Sequence, residues 1–211
     1  MNQLAWALFA GTIAVGVIDW ISVLRSVAWL EYATKVGFML GLIAVAIALQ
    51  PVSATERGLF VVALALGLIS DVFLMLPRDM FMAGLLAALL EHLAYIAAFR
   101  ARALHTGTLA AGAIVALVSV AIFFPPIERS IRRDHPRLLT PVIAYVAVFT
   151  VMVASAGGTG SGVALIGALL FFYSDAVLAW NRFVRPLRWG RVVNIVPYHL
   201  GQAILVLSLA S

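Results

Sequence analysis

Cysteine is absent from the 211 residues, and charge is scarce: 11% are Asp, Glu, Lys or Arg. The first absence excludes a disulfide framework, a thiol nucleophile, a thiolate zinc site and a cysteine-ligated iron–sulfur cluster. The second excludes a soluble domain, in which roughly a quarter of the residues carry charge. The glycine-rich stretch 157–162 has neither the lysine nor the preceding strand that a phosphate loop requires. No short histidine motif marks a metal site, so neither metal nor cofactor is expected. What remains is apolar: 64% of the residues, with a mean hydropathy of +1.09.

Uncharged runs cover 1–18, 36–55, 103–127, 138–174 and 192–211. Each is long enough to cross a hydrocarbon core of about 30 Å as a helix, and a helix is required because open strand edges leave backbone groups unpaired in lipid. Charges, prolines and glycines divide the chain into eight predicted helices at 4–24, 32–49, 57–76, 80–99, 106–124, 138–155, 162–184 and 192–210. The expected fold is all-α, a polytopic transmembrane bundle of eight helices forming one domain over 1–211. Pro77-Arg78-Asp79 reads as a tight reversal, and the glycines at 157–162 divide the 37-residue uncharged run in two. The first span has no basic leader and contains Asp19, so it reads as retained rather than cleaved.

The basic residues set an orientation. The odd-numbered joints hold eleven: Arg25, Lys35, Arg78, Arg129, Arg132, Arg133, Arg137, Arg182, Arg185, Arg188 and Arg191. The even ones hold three, Arg57, Arg100 and Arg102. The positive-inside bias predicts cytoplasmic odd joints and both termini outside; the expected location is a bacterial cytoplasmic membrane. The net charge of +5 therefore reads as topology signal and lipid-headgroup contact, not as a nucleic-acid surface.

Polar side chains inside the spans are the candidate site. With this orientation Asp19, Lys35, Asp71 and Asp175 all fall in the cytoplasmic half, and exposing them to lipid costs several kcal/mol or more. A polar cavity open toward that leaflet is expected. Asp71 and Asp175 each follow a serine, which either orients the carboxylate or bonds to its own helix backbone. Two carboxyl groups in one pocket share a proton and allow one acid and one base at neutral pH. Lys35 either neutralises the pair, contacts a phosphate or snorkels to the interface. Asp19 either caps the first helix or pairs with Arg25. Glu91, His92 and Tyr95 on the fourth span, Asn181 near the exit of the seventh, and Asn194, Tyr198 and Gln202 on one face of the eighth are supporting or substrate-binding candidates.

These segments also carry a family pattern. Leu68-Ile69-Ser70-Asp71-Val72-Phe73-Leu74-Met75 resembles the first acidic signature of the YhhN family of integral membrane lysoplasmalogenases, with Ser70 where glycine is usual. Glu91-His92-Leu93-Ala94-Tyr95-Ile96 resembles its histidine–tyrosine helix. The segment 167–183, with Ser174-Asp175 and Trp180-Asn181-Arg182, resembles the second acidic signature, and Tyr198-His199-Leu200-Gly201-Gln202 its terminal element. Lys35 sits in the family's lysine-bearing segment, with Val36 where proline is common. The resemblance covers nearly the whole chain and implies hydrolysis of the 1-alkenyl ether of a lysoplasmalogen. A lysophospholipid is then the substrate, membrane lipids are the surroundings, and Asp71 and Asp175 are the catalytic pair. A proton-coupled carrier using the same acidic residues is the alternative. Which aspartate gives and which takes the proton stays open at this point.

Overall fold

The computed structural model describes residues 2–50 and 53–210. Eight α-helices carry nearly all of them: α1 Gln3–Leu24, α2 Ala28–Ala48, α3 Ala54–Met75, α4 Phe81–Arg100, α5 Thr106–Asp134, α6 Leu139–Gly158, α7 Gly162–Phe183 and α8 Gly190–Leu207. Short 3₁₀ turns follow at Pro136–Leu138 and Ser208–Ala210. All eight are long and apolar enough to cross a membrane. Large apolar side chains such as Trp29, Leu117 and Ile122 point outward, a surface that water does not tolerate over such an area. The chain is an integral membrane protein with an all-helical fold.

Local chemistry starts the helices where the sequence supplies caps. Asn2 Oδ1 accepts from the Ala5 amide at 2.7 Å, Ser53 Oγ from Glu56 at 3.2 Å and Ser161 Oγ from Ala164 at 3.3 Å. Most boundaries fall within three residues of the sequence reading, and two differ by more. α2 begins at Ala28, not at 32, and places Trp29 and Glu31 on the helix. α5 does not stop at 124 but runs through Pro125 and Pro126 to Asp134. The two prolines forgo two helical amide bonds, and the continuation is held by packing: Ile127 and Ile131 form a small core with Val142 and Phe183. Arg129, Arg132 and Arg133 are thus on a helical extension, where Arg132 Nε bonds Glu128 one turn back at 2.9 Å.

Consecutive helices pack as hairpins, α1 with α2, α3 with α4, α5 with α6 and α7 with α8. α2 joins α3, α4 and α7 join α6, and α8 returns against α1 and α2. The α7–α8 contact is backbone on backbone. A Cβ on Gly167 would lie 2.9 Å from the Leu205 amide, and one on Gly201 would lie 2.8 Å from the Phe171 amide. Glycine at both positions lets the two helices touch, which draws Asp175 and Tyr198 to the same wall.

Candidate active site

A cavity of about 380 Å³ opens in the bundle among all eight helices, α1 contributing Val23 alone. Its walls are mainly aromatic and aliphatic, including Phe81, Phe123, Phe124 and Phe172, and its polar side chains converge from separate helices. Lys35, Asp71, Glu91, Asn194, Tyr198 and Asp175 line it. Asp19 does not; it is buried elsewhere and bonds Thr34 of α2, and among the described residues no ion pair joins it to Arg25.

The serines preceding the aspartates act as locks between helices. Ser70 Oγ donates to the Gly84 carbonyl of α4 at 2.9 Å. Ser174 Oγ lies 2.9 Å from the Asn194 carbonyl of α8, and the Asn194 amide donates back to the Ser174 carbonyl at 2.9 Å. Among the described residues neither serine hydroxyl bonds its own helix backbone, one of the two alternatives the sequence left open. Each instead fixes the rotation of its helix and so the direction of the next residue. Asn194 is spent on this lock, although it also lines the cavity.

The two carboxylates have unlike company. Asp71 Oδ1 is 2.9 Å from Lys35 Nζ, and its Oδ2 accepts from Tyr198 Oη at 2.6 Å. The ammonium also lies 5.5 Å from the centre of the Tyr198 ring. Asp175 Oδ2 accepts a hydrogen bond from Tyr145 Oη of α6, and His92 Nε2 stands 3.8 Å away. His92 Nε2 is 2.8 Å from the same phenol oxygen. A phenol has one hydrogen, so with Tyr145 donating to Asp175, His92 donates through Nε2 to Tyr145. Phe149 stacks on the imidazole at 3.9 Å between ring centres and holds its plane.

Below this layer, Tyr95 Oη donates to Gln202 Oε1 at 2.6 Å, and Gln202 Nε2 donates to Glu91 Oε1 at 2.5 Å. Tyr95, Gln202 and His92 are buried behind the cavity wall, not in it, and reach it through Glu91 and Tyr145. Asn181 lies outside: its Oδ1 accepts from the Leu187 amide at 3.0 Å, and it packs on Gly190, shaping the turn between α7 and α8. Tyr145 is the residue the sequence reading missed. Its signal was a lone tyrosine in the apolar stretch 139–158.

An apolar chamber with an ion-paired carboxylate on one wall and a phenol-bonded carboxylate on another suits a long-chain amphiphile and general acid–base chemistry. The YhhN family matches residues 30–209. Curated relatives include a mouse protein, lysoplasmalogenase TMEM86B, 31% identical over 149 residues, which are 69% of this chain and 61% of the mouse protein. The human protein of the same name is 32% identical over 146 residues, 69% of this chain and 61% of its own length. The chain therefore spans about three-fifths of the relatives it matches. No solved structure matches the chain. With the family matched across all but the first helix and the last residues, the chain belongs to the YhhN family.

Proposed function

We propose that this chain is an alkenyl ether hydrolase that cleaves a lysoplasmalogen with water. The products are a fatty aldehyde and glycerophosphocholine or glycerophosphoethanolamine. The observation that carries the reading is the placement of Asp71 and Asp175, from different helices, in the wall of one largely apolar cavity. The names of the relatives support it. The alkenyl chain lies among the aromatic side chains, and the phosphate at the margin where Arg191 pairs with Glu31.

The unlike surroundings divide the labour. Asp175 has Oδ2 taken by Tyr145, and among the described residues no hydrogen bond engages its Oδ1. It is the acid: it gives a proton to the vinyl carbon distal to the ether oxygen. Asp71, with both oxygens held by Lys35 and Tyr198, is the fixed anion that faces the oxocarbenium ion so formed. Water attacks the carbon bearing the oxygen while the Asp175 carboxylate takes its proton, so one residue serves as acid and then as base, as in glycoside hydrolysis. The hemiacetal collapses to aldehyde and alcohol, and Asp175 is again protonated.

In this reading the chain is one domain of a bacterial cytoplasmic membrane, with both termini outside. The crowding of arginine into the odd-numbered joints supports that orientation. The test is product-resolved mass spectrometry on purified protein in detergent and in lipid vesicles. Wild type is expected to release aldehyde from lysoplasmalogen, and D71N and D175N to lose about 10²- to 10⁴-fold in turnover while eluting as folded protein. Flux across sealed vesicles without aldehyde would overturn the hydrolase reading and make the protein a carrier.

A further inference from the structure

Behind the cavity wall, on the side of α1, lies a second buried polar cluster that the reaction just described does not use. Asp19 of α1 and His199 of α8 are 0% and 1% exposed. Asp19 Oδ1 is 2.6 Å from Thr34 Oγ1 of α2, and its Oδ2 is 3.9 Å from His199 Nε2. Neither Asp19 Oδ2 nor His199 Nε2 has a hydrogen-bond partner among the described residues. Trp20 Nε1 donates to His199 Nδ1 at 3.1 Å, so the proton of the neutral imidazole sits on Nε2, toward Asp19. Phe38 stacks on that ring at 3.8 Å. Thr34 and His199 are the chain neighbours of Lys35 and Tyr198, the two groups that hold Asp71.

Counting protons defines the state of the cluster. The Thr34 hydroxyl has one hydrogen, yet its oxygen lies 2.6 Å from Asp19 Oδ1 and 2.7 Å from the Leu30 carbonyl. Both short contacts are full two-centre hydrogen bonds, rather than one hydrogen shared between two acceptors, only when Asp19 carries a proton on Oδ1 and donates it to Thr34, which donates in turn to Leu30. An ionised Asp19 would set two bare oxygens against each other in a place closed to water. The charged and titratable groups that face it are Glu31 and Lys35 of α2, Asp71 of α3 and His199 of α8. Glu31 is paired with Arg191, and Lys35 with Asp71.

We propose that Asp19, as a neutral carboxylic acid, and His199 are positioning residues for the site. They bind α1 to α2 and α8 one residue away from Lys35 and Tyr198, and an uncharged Asp19 leaves the ammonium of Lys35 to Asp71. This inference rests on Asp71 being a catalytic group, but two of its readouts need no substrate.

The test compares Asp19→Asn, which keeps a neutral donor for Thr34 and a carbonyl for His199, with Asp19→Ala, which keeps neither. D19A is expected to lower kcat about ten-fold or more through displacement of Lys35 and Tyr198, with KM near wild type, and D19N to retain most of the activity. The wild-type minus D19N infrared difference spectrum is expected to contain a protonated carboxyl band. Lys35 is the single lysine of the chain, so its side-chain nitrogen gives one NMR resonance, which is expected to move in D19A and to stay in D19N. Should D19A fail to fold, the infrared band and D19N still decide. A D19N enzyme as impaired as D19A, or the absence of the carboxyl band, would overturn the neutral acid. A folded D19A with unchanged kcat and an unmoved lysine signal would overturn the positioning role.

Discussion

Two buried ion pairs sit on the same helix in unlike surroundings. Glu56 and Asp71 both lie on α3, fifteen residues and about 22 Å apart along its axis. Glu56 Oε1 meets Arg102 Nε, just past the end of α4, at 2.6 Å, and the guanidinium also donates to the Ser208 carbonyl after α8 at 2.6 Å. That pair knots three elements together and lies outside the cavity. Asp71 meets Lys35 at a similar distance but on the cavity wall, with Asp175 across the same space. A charge within an apolar helix is thus not in itself a reactive group. The cavity beside it makes the difference, and the groups held there are the ones whose loss should be felt in chemistry rather than in folding.

The largest expected effects would break this contrast most directly. At the cavity, D71N and D175N lose turnover while the bundle stays folded. At the closed end, Arg102→Leu leaves Glu56 buried without its cation, and an uncompensated buried charge costs about 3–5 kcal/mol of stability. Thermal unfolding in detergent should show a much lowered Tm for R102L, whereas turnover per folded molecule should stay near wild type. If R102L instead removed catalysis without lowering Tm, the two pairs would not be separable in the way their surroundings indicate.

An intermediate effect is expected at Tyr145. Phenylalanine there removes the donor to Asp175 Oδ2 and the acceptor facing His92 Nε2, with the ring packing against Phe149 preserved. Asp175 then loses the bond that fixes its carboxyl, and His92 is left with a buried unsatisfied N–H that costs about 1–3 kcal/mol. Y145F should lower kcat by about ten-fold and lower Tm modestly, with KM little changed. Steady-state kinetics on Y145F beside Y198F then compares the two phenols, one for each aspartate.

How far the sequence carries this picture differs between fold and site. The eight spans are legible because each requires close to twenty apolar residues, and such runs are hard to mistake. The end of α5 is not legible, because Pro125-Pro126 reads locally as a stop while the reward for continuing, the contact of Ile127 and Ile131 with Val142 and Phe183, comes from other helices. Lys35, Asp71, Asp175 and Tyr198 stand out in sequence as polar groups in apolar surroundings, and the depths of the charged three along their helices are compatible with one pocket. Rotation about the helix axis is what linear spacing leaves undetermined. Asn181 lies near the right depth but turns to the α7–α8 connection, and Asp19 turns to α2 and α8. Tyr145 carries no charge to flag it, and its value depends on α4 and α7 standing on either side.

The smallest expected effect belongs to a third ion pair, exposed at the cavity end, which marks the other limit of the comparison. Asp79, in the loop between α3 and α4, meets Arg182 at the end of α7 with contacts of 2.8 and 3.1 Å. The Arg182 hydrogen bond, followed by that of the Phe81 amide, holds the Asp79 carboxyl below its ordinary range. A carboxyl whose pKa falls on folding stabilises the protein above its unfolded value of about 3.9, and that contribution is lost as pH drops through the folded value. Both side chains are reached by water, so the stabilisation is about 0–1 kcal/mol and is screened by salt. Asp79→Asn should therefore lower Tm slightly at neutral pH and low salt. The difference should vanish in high salt and as pH falls through the folded value, where wild-type Asp79 itself becomes protonated. Turnover should not change, because the Arg182 guanidinium also lies 4.1 Å from the centre of the Phe81 ring and keeps that contact to the cavity wall without Asp79. A large loss of turnover in D79N would mean that this exposed pair, unlike the buried one at Glu56, sets the shape of the cavity through Phe81.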